Sequence, residues 1–224
     1  DNKAFYKCSK LTKFTARELK TIDRAAFFSC SALKKFDAPQ LQSINMKAFY
    51  GCSKLTTLDV QELETIGDRA FGDCLGIVNL RLPLVTIGDF AFYDCSGIVD
   101  LRLPDGLTTT GDFAFAGCSG IVNLHLPNTL ETVGDNAFRD CSGIVDLHLP
   151  NTLNRIEAFA FAGCSGIVVL HLPDALTTIS EGAFYECSGI VDIHFPDALN
   201  TIGHMAFEEC SGIVDLRLPK TLKT

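Results

Sequence analysis

Residues Ala137–Pro150 read "AFRDCSGIVDLHLP", and Ala114–Pro127, one interval earlier, read "AFAGCSGIVNLHLP". Alanine, phenylalanine, cysteine, histidine and proline return to the same places, so the first question is how far the repetition extends. The cysteines are Cys8, Cys30, Cys52, Cys74, Cys95, Cys118, Cys141, Cys164, Cys187 and Cys210, spaced by 22, 22, 22, 21 and then five times by 23 residues. Three residues before each stands a phenylalanine: Phe5, Phe27, Phe49, Phe71, Phe92, Phe115, Phe138, Phe161, Phe184 and Phe207. An alanine precedes every one of them, so A-F-x-x-C occurs ten times. A period in the low twenties implies a solenoid, whose units cannot bury their apolar faces alone and do so against their neighbours.

Inside one repeat, "IVDLRLP" (Ile98–Pro104) alternates. Val99, Leu101 and Leu103 are expected to share a buried face, with Asp100 and Arg102 on the other, which is the pattern of a half-buried strand. Pro104 ends it, because proline cannot donate to a ladder. A second apolar pair, as in Leu130 and Val133 or Leu153 and Ile156, predicts a short extended return. In G-D-x-A-F-x-x-C, phenylalanine and cysteine lie at i, i+3 and alanine and cysteine at i, i+4, so a single helical or 3₁₀ turn would aim them inward. The shorter early repeats lose one or two residues between the strand and its return, where a loop tolerates the change and a register would not. The ten phenylalanines and ten cysteines are therefore expected to form the core ladder of about ten stacked layers.

The composition agrees with a globular chain. Of 224 residues, 47% are hydrophobic and 21% charged, which excludes a disordered polymer. No apolar run reaches the ~18 residues of a spanning helix, and the start does not read as a signal peptide. The chain begins within a repeat, so a fragment of a longer array is expected. The net charge of −8 is uneven: residues 1–40 hold nine Lys/Arg against four Asp/Glu, and the remainder ten against twenty-three. Five excess positive charges over forty residues are a weak signal for nucleic acid, and no nucleic-acid partner is expected.

The pattern I-G-D-x-A-F-x-x-C-S-x-L/I-x-x-L-x-L-P, carried by "TIGDRAFGDC" (Thr65–Cys74), "TIGDFAFYDC" (Thr86–Cys95) and "SGIVDLRLP" (Ser96–Pro104), resembles the BspA-like leucine-rich repeat. The resemblance spans the chain. It implies a right-handed, curved solenoid of the α/β repeat class, with one parallel sheet of about ten strands on its concave side and short helical or 3₁₀ turns or loops on the other. It also implies a surface or secreted protein that adheres to or binds proteins and has no catalytic centre. The chain reads as one domain, 1–224, with irregular repeats over 1–74 and near-consensus repeats over 75–224. Recent duplication and an engineered consensus would both give such uniformity.

Ten cysteines raise the question of disulfides. Stacked cysteines point the same way, whereas a disulfide wants its Cβ atoms ~3.8 Å apart and directed at each other, so buried free thiols are expected. No cysteine pairing has the spacing of a zinc site. The histidines are the sharper signal. His125, His148, His171 and His194 share one strand position, which Arg81, Arg102 and Arg217 fill elsewhere. Two residues earlier stand Asn79, Asp100, Asn123, Asp146, Val169, Asp192 and Asp215. Such columns either pair charges across strands or hold a divalent metal or respond to pH; pairing is the simpler reading. The candidate contact stripe is Asp100, Arg102, Asn123, His125, Asp146, His148, His171, Asp192, His194, Asp215 and Arg217. Catalytic constellations are lacking, since a residue repeated for stacking has no unique partner to activate it. The expectation is a non-catalytic, adhesin-like module, needing no cofactor, that engages a host or extracellular-matrix type protein without membrane insertion; apolar terminal layers would allow end-to-end self-association. The alternatives are a scaffold without a natural ligand and a metal- or pH-responsive histidine surface.

Overall fold

The structure, a computed structural model, describes residues 1–60, 62–83 and 86–223. The chain winds as a parallel β-solenoid. Each layer contributes a three-residue strand and, in most layers, a two-residue return strand. The three-residue strands form three sheets. The first joins Lys13–Thr15, Lys35–Asp37 and Thr57–Asp59, and the second Asn79–Arg81, Asp100–Arg102 and Asn123–His125. The third joins Asp146–His148, Val169–His171, Asp192–His194 and Asp215–Arg217. The return strands form two more, running from Thr21–Ile22 to Thr86–Ile87 and from Thr132–Val133 to Thr201–Ile202. The single long sheet expected from the sequence is thus replaced by three short ones, with the return strands in two more. The return row breaks where the segment between strand and return changes length, after Thr86–Ile87; there Thr109 makes only an isolated bridge to Thr132.

The expected helical turn is also absent: among the described residues there is no helix. In its place, every layer has two left-handed residues, one just before the alanine of A-F-x-x-C and one just before its cysteine. Asn136 (φ 53°) precedes Ala137, and Asp140 (φ 59°) precedes Cys141. Right-handed helix cannot propagate through such residues. The backbone still satisfies itself. Ala137, Arg139 and Cys141 donate their N–H groups within the turn, to Gly134, Asn136 and Phe138. Asn136, Phe138 and Asp140 donate instead to the carbonyls of Ala158, Ala160 and Ala162 in the next layer, at 2.7–2.9 Å. Alternate amides thus serve the turn and the stack, which holds non-glycine residues at a conformation that costs each of them about 1–2 kcal/mol.

The ten phenylalanines stack in one column, neighbouring ring centroids lying 5.0–5.5 Å apart and tilted by 1–15°. Phe138 is fully buried, while Phe5 in the first layer is 37% exposed. The cysteines make a second column, buried from Cys30 onward and unpaired; Cys8 is exposed. Each buried thiol donates to the phenylalanine carbonyl of the preceding layer, as Cys141 Sγ does to Phe115 O at 3.2 Å. That carbonyl already accepts the N–H of Cys118, so the thiol engages its second lone pair. This explains cysteine at the slot better than size does, because alanine would fill it without donating.

Two further motif residues acquire reasons. The aspartate of Gly-Asp accepts from the next layer: Asp89 Oδ1 from the N–H of Asp112, and Asp112 Oδ1 from that of Asp135, each at 3.0 Å. Burial raises the Asp112 carboxyl above the usual carboxylate range, against the lowering effect of its backbone hydrogen bond. The glycine of Cys-Ser-Gly permits a close approach: a Cβ on Gly143 would stand 2.6 Å from the Ser119 carbonyl oxygen and 2.7 Å from that of Ile121.

A candidate binding face on the three-residue strands

The strands place their middle residues inside and the two flanking residues outside. Leu147 and Leu170 are buried between exposed neighbours. Parallel pairing then aligns the outward residues layer by layer: Asp100 with Asn123, Arg102 with His125, His148 with His171, and His194 with Arg217. Strand pairing is interrupted between His125 and Asp146, so the eleven candidate residues fall into two groups.

In the first group Asp100 sits centrally. Its carboxylate lies 3.8 Å from Arg81 Nη2 on the preceding strand and 3.6 Å from His125 Nε2 on the following one. Polar contacts from Asp100 therefore reach across three layers. In the second group the pairs lie along single strands. His148 Nδ1 is 3.2 Å from Asp146, His194 Nδ1 is 3.5 Å from Asp192, and Arg217 is 3.7 Å from Asp215. These side chains are more than half exposed, so such pairs are worth little in stability. Val169 takes the acidic position before His171. The fifth histidine, His204, lies outside the column and is 4.0 Å from Glu181.

Three donor-bearing side chains converge in the second group: one ligand-type atom each from Asp146, His148 and His171 lies within 4.8 Å of the other two. A groove of about 490 Å³ runs beside them, lined by Val168, Val169, Leu170, His171, Leu172, Val191, Asp192 and His194.

The structure corrects one element of this face. Val99 is 38% exposed and does not share the buried side with Leu101 and Leu103. Ile98 fills that inward place instead, and the chain straightens into strand only after the valine. The same holds along the solenoid: Val78, Val99, Val122, Val145, Val168 and Val191 are 38–50% exposed and form an apolar column beside the Asp/Asn column. Strict alternation hid them. The signal that could have found them is the Ile-Val dipeptide, since two consecutive apolar residues cannot both face inward in one strand.

Comparison with known proteins places this geometry. A family model described as the BspA type leucine rich repeat region matches in six copies, over residues 1–119, 64–188 and 133–224. A solved leucine-rich repeat protein from Bacteroides ovatus is 25% identical, with a TM-score of 0.71 over all of this chain and 70% of that one. One from Eubacterium ventriosum superposes with a TM-score of 0.63 at 17% identity, over 98% of this chain and 81% of that one. A leucine rich cell surface protein from Faecalibacterium prausnitzii gives 0.52 at 21% identity, over 95% and 74%. The latter two share the fold alone. No curated protein matches the chain.

Proposed function

The chain belongs to the BspA-type leucine-rich repeat family, and from that premise we propose that it is a non-catalytic binding module of a surface or secreted protein, engaging a protein partner through the outward columns of its three-residue strands. The observation that carries this reading is the exposed valine column running beside charged columns over at least six layers. A contiguous apolar stripe rimmed by polar groups is costly to leave in water, and it is the arrangement that protein interfaces bury. Extended surfaces of this kind are what solenoids offer to partners. The description of the Faecalibacterium relative as a cell surface protein favours the same placement. Among the described residues no helix is long and apolar enough to cross a membrane.

The contact residues in this reading are the valines together with Asp100, Arg102, Asn123, His125, Asp146, His148, His171, Asp192, His194, Asp215 and Arg217. Binding of the purified chain to a panel of extracellular-matrix and serum proteins tests it. Two variants run beside it: one with His125, His148, His171 and His194 changed to serine, and one with Val122, Val145 and Val168 changed to threonine. Saturable binding weakened at least about tenfold in either variant supports the face. Binding retained in both moves the site elsewhere, and no binding by any form favours a scaffold without a ligand.

A further inference from the structure

Within the histidine column one layer departs from the rule. Elsewhere in the third sheet each basic residue has an aspartate two positions earlier on its own strand: Asp146 before His148, Asp192 before His194 and Asp215 before Arg217. In the strand Val169–His171 that position is Val169, so His171 has no carboxylate of its own. It faces His148 directly across the ladder, with ring centroids 4.9 Å apart and planes tilted by 36°. Asp146 Oδ1 is already 3.2 Å from His148 Nδ1. Among the described residues, no other trio of His, Cys, Asp or Glu side chains brings its donor atoms within 4.8 Å of one another.

We propose that Asp146, His148 and His171 form a binding site for a divalent transition-metal ion of the Zn²⁺ class, its remaining coordination positions open to water. This goes beyond the protein-binding reading and does not depend on it. The donor set suits such an ion: imidazole nitrogen favours zinc and its neighbours over calcium or magnesium, and one carboxylate supplies charge. The spacing suits it as well. Bonds of about 2.0–2.2 Å in a tetrahedral site put donor atoms roughly 3.3–3.5 Å apart, close to the Asp146–His148 separation. Drawing in His171 needs rotation of an exposed side chain and no shift of the backbone. The backbone is fixed by the paired strands and by Leu147 and Leu170, buried beneath them. Two strands one layer apart thus hold two imidazoles at the separation an ion can bridge.

The test is calorimetric titration with ZnCl₂ in a Cys8→Ser background, which removes the exposed thiol as a competing ligand. His171→Asn and Asp146→Asn are compared with His194→Asn, one layer away, and circular dichroism with melting in chelator confirms that each variant is folded. One equivalent of Zn²⁺ is expected, with affinity lost at least about tenfold in His171→Asn and in Asp146→Asn, unchanged in His194→Asn, and no heat from MgCl₂ or CaCl₂. The melting temperature of the parent should rise with ZnCl₂, as for any ligand that binds the native state alone. No saturable heat up to about 1 mM ZnCl₂, or equal affinity in His171→Asn, overturns the site, as does an equal loss in His194→Asn, which would mark diffuse attraction to the whole column.

Discussion

The layers before Cys74 and those after Cys95 lay the same backbone with different fillings. Near the N-terminus the inward strand residues Phe14 and Phe36 meet the phenylalanine column edge-on, 4.8 Å from Phe27 and Phe49 respectively. Further along, the slot holds Leu101, Leu147 and Leu170. The second residue after the cysteine is Lys10, Ala32 and Lys54 in the first three repeats and glycine from Gly76 to Gly212. Outside, Lys13 and Lys35 stand where the later layers carry aspartate or asparagine. Yet the left-handed pairs, the inter-layer amide bonds and the thiol-to-carbonyl bonds are the same from Lys3 to Glu209. The difference teaches that the turn, and not the strand, is the invariant unit of this solenoid; strand residues are free to change so long as the middle one is apolar.

The most forceful way to break that claim is to ionise the turn. Burial raises every thiol from Cys30 to Cys210 above the ordinary value of 9.0, with Cys52 and Cys95 pushed up to about 12 and Cys210 to about 11. An unfolded thiol ionises near 9 while a folded one stays neutral. The contribution is therefore complete below pH 9 and is lost as pH rises from 9 through the folded values near 11–12, by about 1.4 kcal/mol per pH unit for each such thiol. Both regions should unfold together in a circular-dichroism titration between these limits. An intact spectrum beyond pH 12 would sink the ladder as described.

A smaller effect separates interior from edge. Phe138→Ala should cost about 3–5 kcal/mol in urea unfolding, and Phe5→Ala, already 37% exposed, less than half as much. Equal losses would mean that the layers are not mutually supporting. Smaller again, Gly143→Ala should destabilise by roughly 1–3 kcal/mol, through the clash with Ser119 and Ile121, while Ala32→Gly in the early region costs about 1 kcal/mol or less. The least expected change is Cys141→Ala, at about 1 kcal/mol for the lost donor to Phe115, against no change for the exposed Cys8→Ala. Reversal of either pair would show that the two regions do not share one turn.

Much of this could be read in the sequence. A-F-x-x-C marked the period and the two inward columns, and "DLRL" marked the strand. The aspartates and histidines two residues apart placed charge on the outside, with Val169 as the apolar member of the Asp/Asn column. The turn conformation could not be read. The spacing of alanine, phenylalanine and cysteine fits one helical turn, but the sign of φ before alanine and before cysteine leaves little trace in residue identity. Gly51, Gly117, Gly163 and Gly182 hint at it, whereas Lys3, Ala25, Phe90, Phe159 and Met205 adopt the same conformation with side chains that disfavour it. Their conformation is imposed by amides of adjacent layers, a cause that lies twenty-odd residues away. The valine column escaped for the converse reason: a local alternation rule was applied one residue too early, across a bend.

The direction of the amide bonds in the turn has an electrical consequence. At each of nine junctions, three N–H groups of one layer donate to carbonyls of the next, always toward the C-terminus. In the return flanks the sense is opposite: the amides of Gly67, Gly88, Glu157, Ser180 and Gly203 donate to Ile44, Ile66, Val133, Ile156 and Ile179 of the preceding layer, so the two rows of dipoles run antiparallel. The carbonyls of Asn2, Ala4 and Tyr6 are turned toward one end of the stack, and the amides of Met205, Phe207 and Glu209 toward the other. The turn row alone is thus polarised negative at its first layer and positive at its last, and the return row opposes it on the other side of the coil. Lys3 and Lys7 stand at the negative end of the turn row, and Glu208 and Glu209 at its positive end. The two rows lengthen together as layers are added, so each end of the coil presents carbonyls along one edge and amides along the other.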